Sequence, residues 1–471
     1  MNTKSERQIA DFIREDEIQN LLNTTQSSSR EELEAIVAKG EKALGLTPVE
    51  VAKLLNTEDK YIVDKLFKAA HTIKEKIYGK RVVIFAPLYL SNYCVNACKY
   101  CGYGCDTSIF RKKLSMDELV QEVKILESMG HKRIALEAGE DPVNCDIDYI
   151  IEAIKKIYSI NFENGSIRRI NVNIAATTVE NYKKLKAADI GTYILFQETY
   201  HRETYYAMHP KGPKHDYDYH TTAFDRAIEA GLDDVGAGVL FGLYDYKFEV
   251  LALLNHALHL EEKFGFGPHT ISVPRLKPAE GMNIADYPYL LTDEQFKKIV
   301  AIFRLAVPYT GIILSTRESA ATRDEVIHYG VSQVSAGSCT GVGGYKNEHE
   351  THEDCNTMQF NVEDHRTPDQ VIHGLCDAGY IPSYCTACYR QGRTGDRFMQ
   401  LAKSGNIQNV CQPNAILTFQ EYLLDYASDE VKEIGEETIK QHLNEIGNAQ
   451  VRKLTEERLE EIKKGKRDLY L

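Results

Sequence analysis

From about residue 82 onward, apolar runs rich in β-branched residues alternate with amphipathic stretches, eight times over. The strand candidates are Val82–Pro87, Arg133–Gly139, Ile167–Ile174, Thr192–Thr199, Val235–Leu243, His269–Leu276, Gly311–Arg317 and Gln333–Ser338. Between them lie helical patterns at Met116–Met129, Tyr149–Ile160, Val179–Ala188, Thr221–Ala230, Phe248–Phe264, Asp293–Leu305 and Ala321–Tyr329, the first opened by a Ser115/Glu118 capping box. Strands separated by helices form a parallel sheet, and eight of them predict an α/β fold of (β/α)8 TIM-barrel type. Residues 1–80 read as an N-terminal helical extension, with Thr47-Pro48 opening one helix. The barrel is expected over 81–345. A mainly helical C-terminal domain is expected over 346–471, its charged tail from Ser428 packing along one stripe.

At 471 residues the chain is long enough for a barrel and an appended domain. A net charge of -13 argues against non-specific nucleic-acid binding. No apolar run reaches membrane-spanning length and the first residues are too polar for a signal peptide, so a cytoplasmic protein with no membrane partner is expected. In that compartment eleven cysteines point to metal binding or catalysis rather than to disulfides.

Two cysteine clusters stand out. Cys94-x3-Cys98-x2-Cys101 follows the first strand, so it falls in the first βα loop, at the mouth where such barrels keep their active sites. Cys385-x2-Cys388 with Cys411 lies near the far end. Each offers three thiolates and no obvious fourth, whereas iron–sulfur cubes normally take four. A three-thiolate cube leaves one iron open to something that is not protein. The alternatives are zinc sites, completed by Cys105 at the first cluster and by Cys376 or a histidine at the second. The Gly337–Tyr345 segment after strand 8 suits either an anion site or a flexible connection. The Glu348–Glu353 stretch lacks the spacing of a zinc helix and reads as a solvated loop. Cys105, Cys145, Cys339, Cys355 and Cys376 otherwise read as ordinary thiols.

With Tyr100 in its aromatic place, the first cluster resembles the CxxxCxΦC signature of the radical S-adenosylmethionine superfamily. That resemblance implies a 4Fe-4S cluster on Cys94, Cys98 and Cys101, with S-adenosylmethionine on the open iron as the source of a 5′-deoxyadenosyl radical. Ala138-Gly139-Glu140-Asp141 resembles the family's GGE-type motif, with Ala138 in place of the first glycine. The resemblance gives Tyr100 a place near the adenine and Glu140 a place at the methionyl amino group. Gln197 and Glu198 are candidates for the ribose or methionyl groups, or for structural roles.

Cys385–Gly395 and Cys411–Phe419, with Tyr89–Cys101, Gln197–Pro210, Gly267–Ala279 and Ser335–Tyr345, are similar to the tyrosine lyases that mature FeFe-hydrogenases. Thiamine-pathway tyrosine lyases share the barrel motifs but normally lack the C-terminal cysteines. The resemblance implies cleavage of L-tyrosine to p-cresol and dehydroglycine, and conversion of the latter to carbon monoxide and cyanide. It also implies a second 4Fe-4S cluster on Cys385, Cys388 and Cys411. An additional iron there is bridged by free L-cysteine and held by His269, which as a lone histidine is otherwise a satisfied structural group. Hydrogenase maturation proteins and an electron donor are the implied partners. Tyr89, Arg323, Ser335 and Ser338 are the candidate tyrosine-binding residues, with Arg317 as the rival to Arg323; a surface salt bridge is the alternative role for Arg323.

Overall fold

The computed structural model describes residues 8–350, 357–405 and 407–471. Eight parallel strands close into a barrel: β1 (Arg81–Ser91), β2 (Arg133–Ala138), β3 (Arg169–Asn173), β4 (Tyr193–Glu198), β5 (Val235–Val239), β6 (Thr270–Ser272), β7 (Gly311–Leu314) and β8 (Gln333–Ser335). Each strand pairs with the next, and β1 closes the ring by pairing with both β8 and β2. The helices between them cover the outside, as the alternation predicts, with small differences at their ends. Met116–Ser128 begins at the expected Ser115/Glu118 capping box. Of the Glu348–Glu353 stretch, the part up to Glu350 closes the helix Gly344–Glu350; residues 351–356, Cys355 included, lie outside the described residues.

A ninth strand was not foreseen. β9 (Ile381–Ser383) pairs in parallel with Arg81–Val83, the first residues of β1. β8 already occupies one edge of β1 at Val83, so β9 takes the other edge, below the point where β2 begins to pair at Ala86. It therefore fills the gap between β1 and β2 at the bottom of the barrel. Three residues with a proline in the middle carry no strand signal. Their pairing depends on β1 being long enough to offer a free edge.

Four N-terminal helices (Glu15–Thr24, Arg30–Glu41, Pro48–Asn56, Lys60–Tyr78) pack on the barrel helices Tyr246–Phe264 and Asp293–Ala306. Val51, Leu54, Leu55, Ile62 and Leu66 are fully buried there, each contributing about 1.5–3 kcal/mol. The helices Gln408–Asp425, Asp429–Asn444 and Ala449–Lys463 pack on one another, and the first two on β9. Among the described residues no helix is long and apolar enough to cross a membrane.

One buried carboxyl anchors the turn after β4. Glu249, 1% exposed, accepts hydrogen bonds from the Thr199 hydroxyl and, at 2.9 Å, from the Tyr200 amide. Burial pushes its pKa from 4.5 up to about 8, outweighing those hydrogen bonds. The folded protein thus holds a proton that the unfolded chain releases. This contribution to stability is complete below about pH 4.5 and is lost as pH rises through about 8, at up to about 1.4 kcal/mol per pH unit. Denaturant titrations between pH 5 and 8 should show this decline, and Glu249→Gln should flatten it.

Candidate functional site

The barrel holds two cavities, one at each end. The upper one, about 210 Å3, opens at the C-terminal ends of the strands and extends into the lumen. Cys94, Cys98 and Cys101 all line it, together with Tyr89, Tyr100, Glu140, Glu198, Ser335 and Ser338. The lower one, about 50 Å3, is lined by Cys385, Cys388, Cys411 and His269. The cysteine groups, far apart in sequence, thus face one lumen from opposite ends.

The first cysteine loop is fixed by close backbone packing. The Gly139 amide donates to Ser91 O (2.9 Å), and the Val95 amide to Glu140 O (2.8 Å). A Cβ on Gly139 would come within 2.3 Å of Tyr93 O and 3.1 Å of Cys94 Cβ. Glycine is thus required at that position of the GGE-type motif, whereas the preceding position accommodates Ala138. Asn96 holds the far side: its amide nitrogen donates to Glu140 Oε2 (2.6 Å) and approaches Cys94 Sγ at 3.7 Å. Gln359 donates to Cys101 Sγ at 3.7 Å.

Two of the charged groups in this cavity pair. The Lys214 ammonium donates to Glu198 Oε1 at 2.9 Å. Burial alone would lower the Lys214 pKa, but the Glu198 carboxylate reverses this and raises it. Glu198 sits at a register shift of β4 with φ +69, a left-handed backbone that re-aims its side chain. Tyr100 reaches the neutral ring of buried His209. That ring's Nδ1 donates to Tyr205 O (2.7 Å), so Nε2 accepts from the Tyr100 hydroxyl, also at 2.7 Å. Burial pushes the Cys101 thiol up to about 11 and Cys98 higher still, so a metal entering here displaces protons.

Two candidates lie elsewhere. Gln197 does not line the cavity; its amide donates to the Thr221 hydroxyl at 2.9 Å. Arg323 is buried in an ion pair with Asp364 and donates to Ser335 O, behind the cavity wall. It is therefore not positioned to grip a bound carboxylate; a burial-driven structural role replaces that expectation. Its rival Arg317, just after β7, does line the cavity, stacked 3.3 Å from the centroid of the Phe360 ring. Tyr89 donates to Gln359 Oε1 (3.0 Å), Ser335 Oγ accepts the Thr316 amide (3.2 Å), and buried Ser338 Oγ has no hydrogen-bond partner among the described residues. Glu137, raised to about 8 by burial and held by Asn173 at 2.6 Å, is a further lining group. Inward alternation along β2 and β3 was the signal for that pair. Asn96 lies inside the Cys94–Cys101 motif at a position the signature leaves open, and Lys214 comes from a segment that carries no motif.

In the lower cavity, Cys385 follows β9 directly. Its Sγ accepts the Ala387 amide (3.4 Å) and its carbonyl accepts Arg133 Nη2 (2.8 Å). Cys388 hydrogen-bonds Cys411, lowering the Cys411 pKa and raising its own. The segments beyond them are tied to residues 468–471. Arg390 forks onto Asp468 (2.6 and 2.8 Å), and Arg393 and Asn414 both donate to Leu471 O (2.9 and 3.3 Å).

Among the described residues no three His, Cys, Asp or Glu side chains close up tightly enough to hold a single metal ion. Three thiols spread around a void suit a polynuclear iron–sulfur group, whose irons each take one thiolate. Cys94, Cys98 and Cys101 would hold one such group, with Glu140, Glu198 and Lys214 beside it for a charged ligand.

Comparison with known proteins agrees with this geometry. A family model described as "Radical SAM superfamily" matches residues 88–257, and one described as "Biotin and Thiamin Synthesis associated domain" matches 272–381. A crystal structure of HydG, a maturase of the [FeFe]-hydrogenase, superposes with a TM-score of 0.95 at 60% identity, covering 98% of this chain and all of that one. HydG from Carboxydothermus hydrogenoformans gives 0.82 at 41% identity, covering 94% and 97%. The 2-iminoacetate synthase of Escherichia coli is 32% identical over 350 residues, 74% of this chain and 89% of the relative.

The Gly139 contact yields a test. Gly139→Ala forces the strand 2 end and the cysteine loop apart, and misplacement by about 1 Å costs about 100-fold. S-adenosylmethionine cleavage should fall by about that factor, assayed as 5′-deoxyadenosine.

Proposed function

We propose, for a chain that belongs to the radical S-adenosylmethionine superfamily and within it to the HydG maturases, that it cleaves the Cα–Cβ bond of L-tyrosine at the upper cavity. The products are p-cresol and dehydroglycine, and the second is converted to carbon monoxide and cyanide on iron at the lower cavity, for FeFe-hydrogenase assembly. A second 4Fe-4S cluster on Cys385, Cys388 and Cys411, with an additional iron on His269 and free L-cysteine, belongs to this reading. So do an electron donor and hydrogenase maturation proteins as partners.

The observation that carries the reading is the pair of thiol-lined cavities on one lumen. Their linings meet on consecutive inward positions of four strands: Val83 and Phe85, Arg133 and Ala135, Gly311 and Ile313, Gln333 and Ser335. Two strand residues span about 6.6 Å, so one rung of side chains separates the cavities. A small product formed above has that short path below, out of bulk water.

When bound, the iron–sulfur group and S-adenosylmethionine of the upper site supply a hydrogen-abstracting radical. The chain's own side chains bind and orient. Arg317 is the cation available for the tyrosine carboxylate, and Ser338 Oγ offers an uncommitted hydroxyl. Glu140, held by Asn96, is an acceptor for a methionyl ammonium. The enclosing barrel excludes water from the reacting centre.

Two variants test this reading. Cys388→Ser should leave p-cresol formation intact and abolish carbon monoxide. Loss of both products together, or carbon monoxide at the wild-type rate, would count against two separable sites. Arg317→Gln should raise the KM for tyrosine about 10–100-fold, the worth of a charge-assisted hydrogen bond of about 1.5–3 kcal/mol. An unchanged KM would remove Arg317 from the substrate site.

A further inference from the structure

The lower cavity contains a buried carboxyl group that the proposed chemistry has not used. Asp234 lines it, is 3% exposed, and neither of its carboxylate oxygens has a hydrogen-bond partner among the described residues. A carboxylate in that condition carries a large desolvation cost, so a compensating positive group is expected beside it. The neighbour is the imidazole of His269, whose Nδ1 lies 3.6 Å from Asp234 Oδ2.

The arginines around the cavity face other groups, and the Nε atoms of Arg81, Arg133 and Arg169 have no hydrogen-bond partner among the described residues. The Nη atoms of Arg133 reach Gln333 Oε1 (3.4 Å) and Cys385 O (2.8 Å). Arg81 faces the Cys411, Cys385 and Cys388 sulfurs electrostatically. Arg169 pairs with Asp189 at 3.2 Å.

The backbone holds the two residues in fixed relation. Asp234 O accepts the Tyr193 amide (3.0 Å), the His269 amide donates to Val235 O (2.9 Å), and His269 O accepts the Gly311 amide (2.9 Å). Next door, Asp233 Oδ2 accepts the Thr394 hydroxyl (2.9 Å), tying this corner to the segment that follows Cys388. Metal-binding histidines commonly set their other ring N–H on a carboxylate, which fixes tautomer and ring orientation and raises ligand basicity. Here the carboxylate faces Nδ1, which leaves Nε2 for the metal.

We propose that Asp234 is a positioning residue for the lower site, its carboxyl facing the Nδ1 side of His269 and orienting the ring so that Nε2 ligates a ferrous ion beside the Cys385, Cys388 and Cys411 thiolates. The inference rests on the reading of His269 as the ligand of that iron. Bidentate capture of the iron by Asp234 itself is the less economical arrangement, because its oxygen already lies beside the imidazole.

The test uses full-length protein reconstituted with both clusters and titrated with isotopically enriched ferrous iron in the presence of L-cysteine. Iron bound beyond the clusters is counted by Mössbauer spectroscopy, and p-cresol is assayed alongside. Asp234→Asn should keep both clusters and p-cresol formation while weakening binding of the extra iron about 10–100-fold. Asp234→Glu should restore much of the affinity. His269→Ala should lose the extra iron altogether. If His269→Ala loses it and Asp234→Asn binds it as wild type does, the proposal falls and the His269 reading stands. If His269→Ala retains it, the His269 reading falls and the proposal with it. Loss of the second cluster in Asp234→Asn, unrelieved by Asp234→Glu, would overturn the proposal in favour of a purely structural role.

Discussion

The architecture depends on the length of one strand. β1 runs for eleven residues and serves three partners: β8 along one edge, β2 along the upper part of the other, and β9 along its lower part. A shorter β1 would still close an eight-stranded barrel but would leave no edge for β9. Without β9, Cys385 would have no fixed place below the lumen. The strand thus connects both chemical ends of the molecule. Its last residues lead into the Cys94 loop, and its first residues carry the strand that delivers Cys385. The two-residue repeat of side chains then decides what each end sees, with Val83 below and Phe85, Pro87 and Tyr89 above.

The two ends are built by different means. The upper cysteines come from one tight loop, and its order is local: Gly139 lets strand 2 touch the loop, Asn96 bridges to Glu140, and amides close short turns. The lower cysteines come from separate elements, and their order is borrowed from far away. Arg390 and Arg393, just after Cys388, and Asn414, just after Cys411, are all held by residues 468–471. Asp468 also pairs with Arg168 at 3.1 Å and takes a left-handed backbone, φ +63, which aspartate tolerates better than most residues.

Much of this was legible in the sequence, for physical reasons that also mark the limits. Strand–helix periodicity encodes a barrel because each element must bury one face, and the eight strands lie where the apolar runs are. Cysteine spacing encodes a three-thiolate site because a short loop brings those positions together whatever surrounds them. The placement of Arg323 was not legible. Arginines just after β7 and on the following helix are six residues apart, and only packing shows that Asp364 takes Arg323 while Arg317 is left facing the lumen. Gln197 and Glu198 are adjacent, and alternation along β4 puts Phe196 and Glu198 in the cavity and Gln197 against Thr221, which only a fixed strand register decides. β9 was invisible because three residues carry no periodicity, and Asp234 because a carboxylate matters there only when a histidine 35 positions later starts the neighbouring strand.

Burial gives the charged groups their roles. In the upper cavity the Lys214 ammonium and Glu198 carboxylate offset each other's desolvation, and neutral His209 orders the Tyr100 hydroxyl without adding charge. In the lower cavity the thiols lie among arginines, and the unmatched carboxylate of Asp234 lies beside the one imidazole in the lining. The two cavities therefore suit different ligands. The upper site holds the Lys214–Glu198 pair and lines its cavity with Glu140 and Arg317, groups of both signs that suit a zwitterionic ligand. The lower site is crowded with sulfur, cationic side chains and one carboxylate–imidazole pair, a set that favours a metal with small anionic ligands over an organic molecule. Physical separation by a single rung lets both environments exist in one barrel without either neutralising the other.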